Sequence, residues 1–245
     1  MLPPDFAAFG FVLDAAGADA AVSQRTQATV AAHGGRRVVV IGAQRWGLVA
    51  ALARTPLAVT AVDPSRGVLA NTRQALEDAG LGGRVTLFAT DPRDVEIPEG
   101  ADAVLVTSAL WRMLLHVEAQ RAALRSIARA LRGPSLLLLD LDRAPPLADG
   151  APTHLRDGPG RQRWTAERTG DIVRVRCASP GVAEIALDLS AMSPEATIDE
   201  TRAAGFETVA ATDAADGGPF RSDSVRMWLV ARNDRSARRT ERPLP

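Results

Sequence analysis

Arg37-Val38-Val39-Val40-Ile41-Gly42-Ala43-Gln44-Arg45-Trp46-Gly47 is the stretch that decides the fold. An apolar run of strand length closes at a glycine and is followed by a helical segment from about Gly47 to Arg54. A strand without polar alternation is buried on both faces, which points to a parallel sheet covered by helices. The rhythm repeats outward. Ala58 to Val62 reads as a strand ending at Asp63, Arg66 to Ala79 as a helix, Gly80 to Gly83 as a turn and Arg84 to Ala89 as a strand. Ala103 to Thr107 is the next strand. Val117 to Arg132 is an amphipathic helix with Leu124, Ile127, Ala128 and Leu131 on one face, stopped by Gly133 and Pro134, and Ser135 to Leu141 is too apolar for an edge strand.

Beyond this point the period changes. Arg143 to Gly160 is rich in Pro, Gly and Asp, the composition of a linker or lid. Arg163 to Arg168, Ile172 to Cys177 and Val182 to Leu189 then read as three strands of an antiparallel meander. Ser193-Pro194-Glu195 opens a helix with Ser as cap and Pro at the first helical position. That helix ends at Gly205, and strands at Thr208 to Ala211 and Val225 to Ala231 close the domain. The expected architecture is a doubly wound, Rossmann-like α/β sheet of seven mostly parallel strands, the last one antiparallel, with a small antiparallel β insertion. Residues 36–142 and 191–233 form the α/β domain and 143–190 the inserted subdomain. Residues 1–35 form an N-terminal helical segment, with Ala15 to Ala32 as its helix, and 234–245 a disordered, locally basic tail.

The 245 residues carry 29 basic and 29 acidic groups, and every basic residue is Arg; there is no Lys and no Tyr. A Schiff-base enzyme and a P-loop nucleotide site both need a Lys amine, so both are excluded. A neutral chain has no global field to draw in a polyanion, so neither nucleic acid nor membrane is an expected partner. One cysteine, Cys177, and three scattered histidines, His33, His116 and His154, exclude a thiolate zinc site and a paired-histidine metal helix. No basic leader or apolar run of spanning length is evident, so the chain reads as cytoplasmic.

From Arg36 to Arg232 the order of elements resembles a class I S-adenosylmethionine-dependent methyltransferase, in particular the bacterial small-molecule type with an antiparallel insertion after the fifth strand. The resemblance is carried by Ala61-Val62-Asp63-Pro64-Ser65, Gly83-Arg84-Val85, Thr90-Asp91-Pro92-Arg93-Asp94, Ala130-Leu131-Arg132-Gly133-Pro134-Ser135-Leu136, Met192-Ser193-Pro194-Glu195, Ala203-Ala204-Gly205-Phe206-Glu207 and Asp216-Gly217-Gly218-Pro219-Phe220. It implies a cofactor site at Gly42, Gln44, Trp46, Gly47, Asp63, Asp91 and Pro92. The family's opening run is E/D-x-G-x-G-x-G, in which glycines let the backbone approach the methionyl part and the acid serves its ammonium. Here the acid is Val40, and the second and third glycines are Gln44 and Trp46.

At the nucleoside end, Asp63 stands at the ribose-binding position and Asp91 at the adenine-amino position. Pro92 lacks the backbone donor that the next position supplies in the family. One lost hydrogen bond costs about 1 kcal/mol, and a stranded buried partner about 1 to 3. With the ammonium partner gone as well, affinity falls by several powers of ten.

His116, His154 and Arg112 are the candidate catalytic groups; histidines in such places, before a helix and in a lid, are more often surface or cap residues than bases. Trp46, Trp111, Met113 and Trp164 are candidate pocket-lining residues, although apolar residues spaced like the last three more often face the core. Three functions fit. The first is a secondary-metabolite tailoring enzyme that performs S-adenosylmethionine-independent chemistry, such as cyclisation or rearrangement, in the old cleft. The second is a small-molecule O-, N- or C-methyltransferase with a divergent loop. The third is a non-catalytic subunit of a paralogous partner. The cofactor is accordingly none, or S-adenosylmethionine bound weakly or in an altered pose. The partner is a small-molecule substrate, and a homo-oligomer is compatible with the sequence.

Overall fold

Burial on both faces puts the apolar run at the centre of a sheet. In the computed structural model, which describes residues 18–95, 101–131, 134–143, 147–158, 162–214 and 217–233, β1 (Arg37–Ile41) pairs in parallel with β2 (Ala58–Asp63) on one side and β4 (Ala103–Thr107) on the other. β3 (Val85–Ala89) adds to β2, and β5 (Ser135–Asp142) to β4. β11 (Arg226–Asn233), antiparallel to β5, and β10 (Glu207–Asp213), antiparallel to β11, complete a seven-stranded sheet of order β10-β11-β5-β4-β1-β2-β3. β11, the last strand, runs against the direction shared by the other six, as the sequence predicts.

Six helices accompany the sheet among the described residues: α1 (Ala18–Ala32), α2 (Trp46–Ala53), α3 (Arg66–Asp78), α4 (Ser108–Met113), α5 (Val117–Ala130) and α6 (Pro194–Ala203). Their ends follow local chemistry. The Ser65 hydroxyl accepts from the Val68 N–H at 3.2 Å, and that of Ser193 from Ala196 at 3.2 Å, each satisfying a donor that the first turn leaves unpaired. α2 is apolar almost all round, and its Leu48, Val49 and Leu52 are fully buried.

The insertion differs from its sequence reading. Four strands form it, not three: β6 (Thr153–Gly158), β7 (Gln162–Thr169), β8 (Ile172–Ser179) and β9 (Val182–Ser190). β6 hides in the linker-like composition because Thr153 to Leu155 are all exposed, leaving no buried alternation to read. Its pairing with β7 defines it. The second sheet is not a detached lid, for Trp164, Val173 and Leu189 belong to the same apolar cluster as Val38, Val40 and Leu138.

The tail 234–245, the start of the N-terminal helix before Ala18, the Gly133 stop and the residues at 144–146 and 159–161 lie outside the described residues. No helix among the described residues is long and apolar enough to cross a membrane.

Leu138 sits at the middle of β5 with 0% exposure, between Val230 and Leu105 on the flanking strands. Leu138→Ala should therefore destabilise the fold by about 2 to 5 kcal/mol, the range for a buried leucine whose cavity cannot collapse, read from the urea unfolding midpoint.

Candidate functional site

Ligands of doubly wound sheets settle outside the carboxyl ends of the strands, where the order reverses. Here that edge carries the turn after β1, Asp63 at the end of β2, the loop Thr90 to Asp94 after β3, Thr107 at the end of β4, and Asp140 and Asp142 at the end of β5. The edge divides into an open half and a closed half.

The open half is a cleft of about 870 Å³ between the ends of β2, β3 and β4. Ser65, Asp91 and His116 are among its polar lining residues, and Leu110, Met113 and Leu115 among its apolar ones. Pro92 lines it too and opens a short 3₁₀ turn, Pro92–Asp94, capped by the Asp91 side chain. Asp91 also receives Arg93 in a two-point ion pair, Nε at 2.8 Å and Nη2 at 2.6 Å, which holds its carboxyl below the usual range. His116 is the residue before α5, and its side chain makes no capping bond to that helix.

The closed half is the turn after β1. Gly42 takes φ +110°, and a side-chain carbon there would stand 2.1 Å from Thr107 Oγ1, so only glycine fits. The Gln44 amide donates to Thr107 Oγ1 at 3.3 Å. Its carbonyl oxygen is buried with no hydrogen-bond donor among the described residues. Arg45, 3% exposed, donates from Nη1 to Asp140 Oδ2 at 2.7 Å and from Nε to Asp19 Oδ1 at 3.0 Å, and its Nη2 also pairs with Asp19. Asp140 is wholly buried and meets a second guanidinium, Arg226, whose Nε lies 2.6 Å from Oδ1. Burial opposes the charge of Arg226, but the Asp140 carboxylate outweighs it and raises the pKa.

The other sequence candidates fall in several places. Asp63 is 0% exposed and does not line the cleft; its Oδ2 accepts from the Ala43 N–H at 3.0 Å and its Oδ1 from Ser65 at 2.9 Å, so it fastens the β1 turn. Burial pushes its pKa up to about 6, against the lowering effect of those backbone donors. Trp46 does not fill the cavity as expected. It opens α2 and is 51% exposed, so the side chains inside the closed half are those of Gln44 and Arg45. Gly47 faces Asp19.

Trp111 is core, 2% exposed, with its indole N–H 3.4 Å from Thr197 Oγ1. Trp164 is buried in β7, and Met113 alone of the three reaches the cleft. His154 lies on β6, away from it. Arg112 turns toward the insertion, where its Nε donates to the Ser190 carbonyl at 3.2 Å; its Nη2 is buried without an acceptor among the described residues, and burial lowers its pKa. Sequence reasoning missed Asp19, Thr107, Asp140 and Arg226. One signal was present: an acid interrupting the run Ser135 to Leu141.

Residues 38–133 match the family described as a methyltransferase domain. The chain has the class I methyltransferase fold. Among solved structures it is similar to the CcbJ methyltransferase from Streptomyces caelestis, with a TM-score of 0.75, 18% identity, and 95% of this chain and 90% of that one covered. The sugar N-methyltransferase KedS8 from Streptoalloteichus follows at 0.65, with 20% identity and 89% and 87% coverage. CalS10, an amino pentose methyltransferase from Micromonospora echinaspora, superimposes with a TM-score of 0.64, 21% identity and 87% and 89% coverage. No curated protein shows significant similarity.

Within this methyltransferase fold, the fastening of the β1 turn by Asp63 is pH-dependent. Asp63 holds its proton more tightly in the folded chain, at about 6, than at its ordinary 3.8, so between those values the fold loses stability as pH rises. The loss is about 3 kcal/mol across the window. Asp63→Asn should abolish that slope, seen as a wild-type-minus-variant difference in urea midpoint that changes from pH 4 to pH 6.5 and is flat above.

Proposed function

We propose that this chain is a small-molecule tailoring enzyme on the methyltransferase fold that does not hold S-adenosylmethionine in the ordinary pose and uses the cleft for chemistry independent of it, such as cyclisation or rearrangement. The observation that carries the reading is the closed half. The resemblance puts the methionyl part against the Gly42–Gly47 turn, and there the buried Gln44 amide and the Arg45 guanidinium, paired with Asp140 and Asp19, already stand. The acid of the family's pattern is replaced by Val40, 0% exposed within the apolar core. As folded, these residues do not fit that half of the cofactor.

The remaining cleft suits a small molecule. Its volume falls within the range of ligand sites, and its lining is mostly apolar with a few polar groups on it. Such a pocket accelerates an internal reaction by fixing a reactive conformer and excluding water. An isomerisation of this kind takes up one proton where it releases another and needs no co-reactant. His116, which lines the cleft, is the candidate to carry that proton.

Methyl transfer is the second reading. It is favoured by Asp91, which keeps its place in the open half, and by the small-molecule N-methyltransferases among the similar structures. Isothermal titration separates the two. On our reading S-adenosylmethionine gives no binding heat at micromolar protein and ligand; micromolar affinity would overturn it in favour of methyl transfer.

A further inference from the structure

The open cleft has two unlike walls. One, from Leu110 to Ala119, is apolar, with Leu110, Met113 and Leu115 lining it and His116 as its polar member. The other is built from the chain that follows β2 and β3, and it carries the remaining polar side chains of the lining. What this second wall can offer a ligand depends on which of those side chains are already engaged.

Almost all of them are. The Ser65 hydroxyl accepts from the Val68 N–H at the start of α3. The Thr90 hydroxyl donates to the Asp94 carbonyl at 3.1 Å. Asp91 receives three donors from Arg93, the backbone N–H and Nε on Oδ1, both at 2.8 Å, and Nη2 on Oδ2 at 2.6 Å, so the two charges compensate each other. Arg66 differs. It is exposed at the first position of α3, lines the cleft, and its guanidinium makes no hydrogen bond or ion pair among the described residues.

The wall therefore presents one uncompensated charge, and it is positive. A ligand lying in the cleft takes water away from Arg66; if the ligand is neutral, the cation is left covered and unpaired, which is unfavourable. A carboxylate at that place restores the lost solvation with two parallel charge-assisted hydrogen bonds, the geometry for which a guanidinium is shaped. The apolar wall opposite has the complementary demand, an apolar body.

We propose that the cleft takes an amphipathic carboxylate, whose apolar body lies along the wall from Leu110 to Ala119 and whose carboxylate is received by Arg66. Arg66 thus sets specificity and anchors one end of the substrate. This deepens the functional reading and rests on it, since it names the class of molecule that occupies the cleft in place of S-adenosylmethionine.

The test uses octanoate and octanol, which share a chain and differ in the charged head, titrated calorimetrically into wild type, Arg66→Gln, Arg66→Lys and Ala119→Trp. Arg66→Gln should weaken octanoate about tenfold, the scale of a charge-assisted hydrogen bond, and leave octanol unchanged. Arg66→Lys, which keeps the charge, should lose less. Ala119→Trp, which fills the cleft from its apolar wall, should weaken both ligands together.

Octanoate bound equally by wild type and Arg66→Gln, or not bound by wild type at millimolar concentration, would overturn the proposal. So would an equal loss for octanol in Arg66→Gln, which signals a change of shape and not of charge, and so would octanoate binding untouched by Ala119→Trp, which places the chain outside the cleft. Arg66 is exposed, so its variants are expected to keep the wild-type urea midpoint. The functional reading is judged separately with S-adenosylmethionine and wild type. Micromolar binding there sinks that reading and this proposal with it, whereas a silent S-adenosylmethionine titration with octanoate indifferent to Arg66→Gln sinks only the proposal.

Discussion

Asp140 carries a charge at zero exposure, and the carboxyl edge of the sheet is arranged around neutralising it. An isolated carboxylate in such a place would cost many kcal/mol, so two guanidinium groups converge on it from different parts of the chain. Arg226 enters along β11, where antiparallel pairing with β5 sets it opposite Asp142 and within reach of Asp140. Arg45 enters from the turn after β1 and brings Asp19 with it. The ion pairs thereby fix the relation of three segments far apart in sequence. What the fold spends on neutralising Asp140 it withdraws from ligand space.

Much of the large sheet was legible because buried parallel strands announce themselves as unbroken apolar runs, as at Val38 to Ile41 and Leu136 to Leu139. The caps at Ser65 and Ser193 were legible for an equally local reason, a hydroxyl before a helix start. β6 was not, since a strand exposed along its first residues and lying next to Pro and Gly leaves no alternation to detect. Its existence depends on β7, a partner that composition alone does not supply.

The site was legible in position but not in contents. Departures from the glycine pattern at Gln44 and Trp46 drew attention to the turn after β1, yet side-chain size suggested the indole as the obstruction, and the structure puts the amide and the guanidinium inside the turn instead. Trp46 begins a helix whose axis carries its side chain outward, which no reading of volume alone reveals. Asp63 shows the same limit. A carboxylate at a strand end serves a ligand or its own loop equally well on paper, and here both its oxygens are taken by backbone N–H groups. Asp140 and Arg226 lay hidden because their partnership spans 86 residues.

The lack of lysine and tyrosine, first noticed as a bar to certain chemistries, has a different consequence in the folded chain. Every side-chain cation in the ion pairs among the described residues is a guanidinium, and some, such as Arg174 with Asp188 in the smaller sheet and Arg121 with Glu200 between α5 and α6, have two-point geometry. Such groups keep their proton far into alkaline solution, where ammonium and phenol would titrate. Between neutrality and strong base the only described side chain with an ordinary pKa in range is the buried thiol of Cys177. The ion pairs among the described residues are consequently indifferent to alkali, and their sensitivity to proton concentration lies on the acid side, with the carboxylate partners.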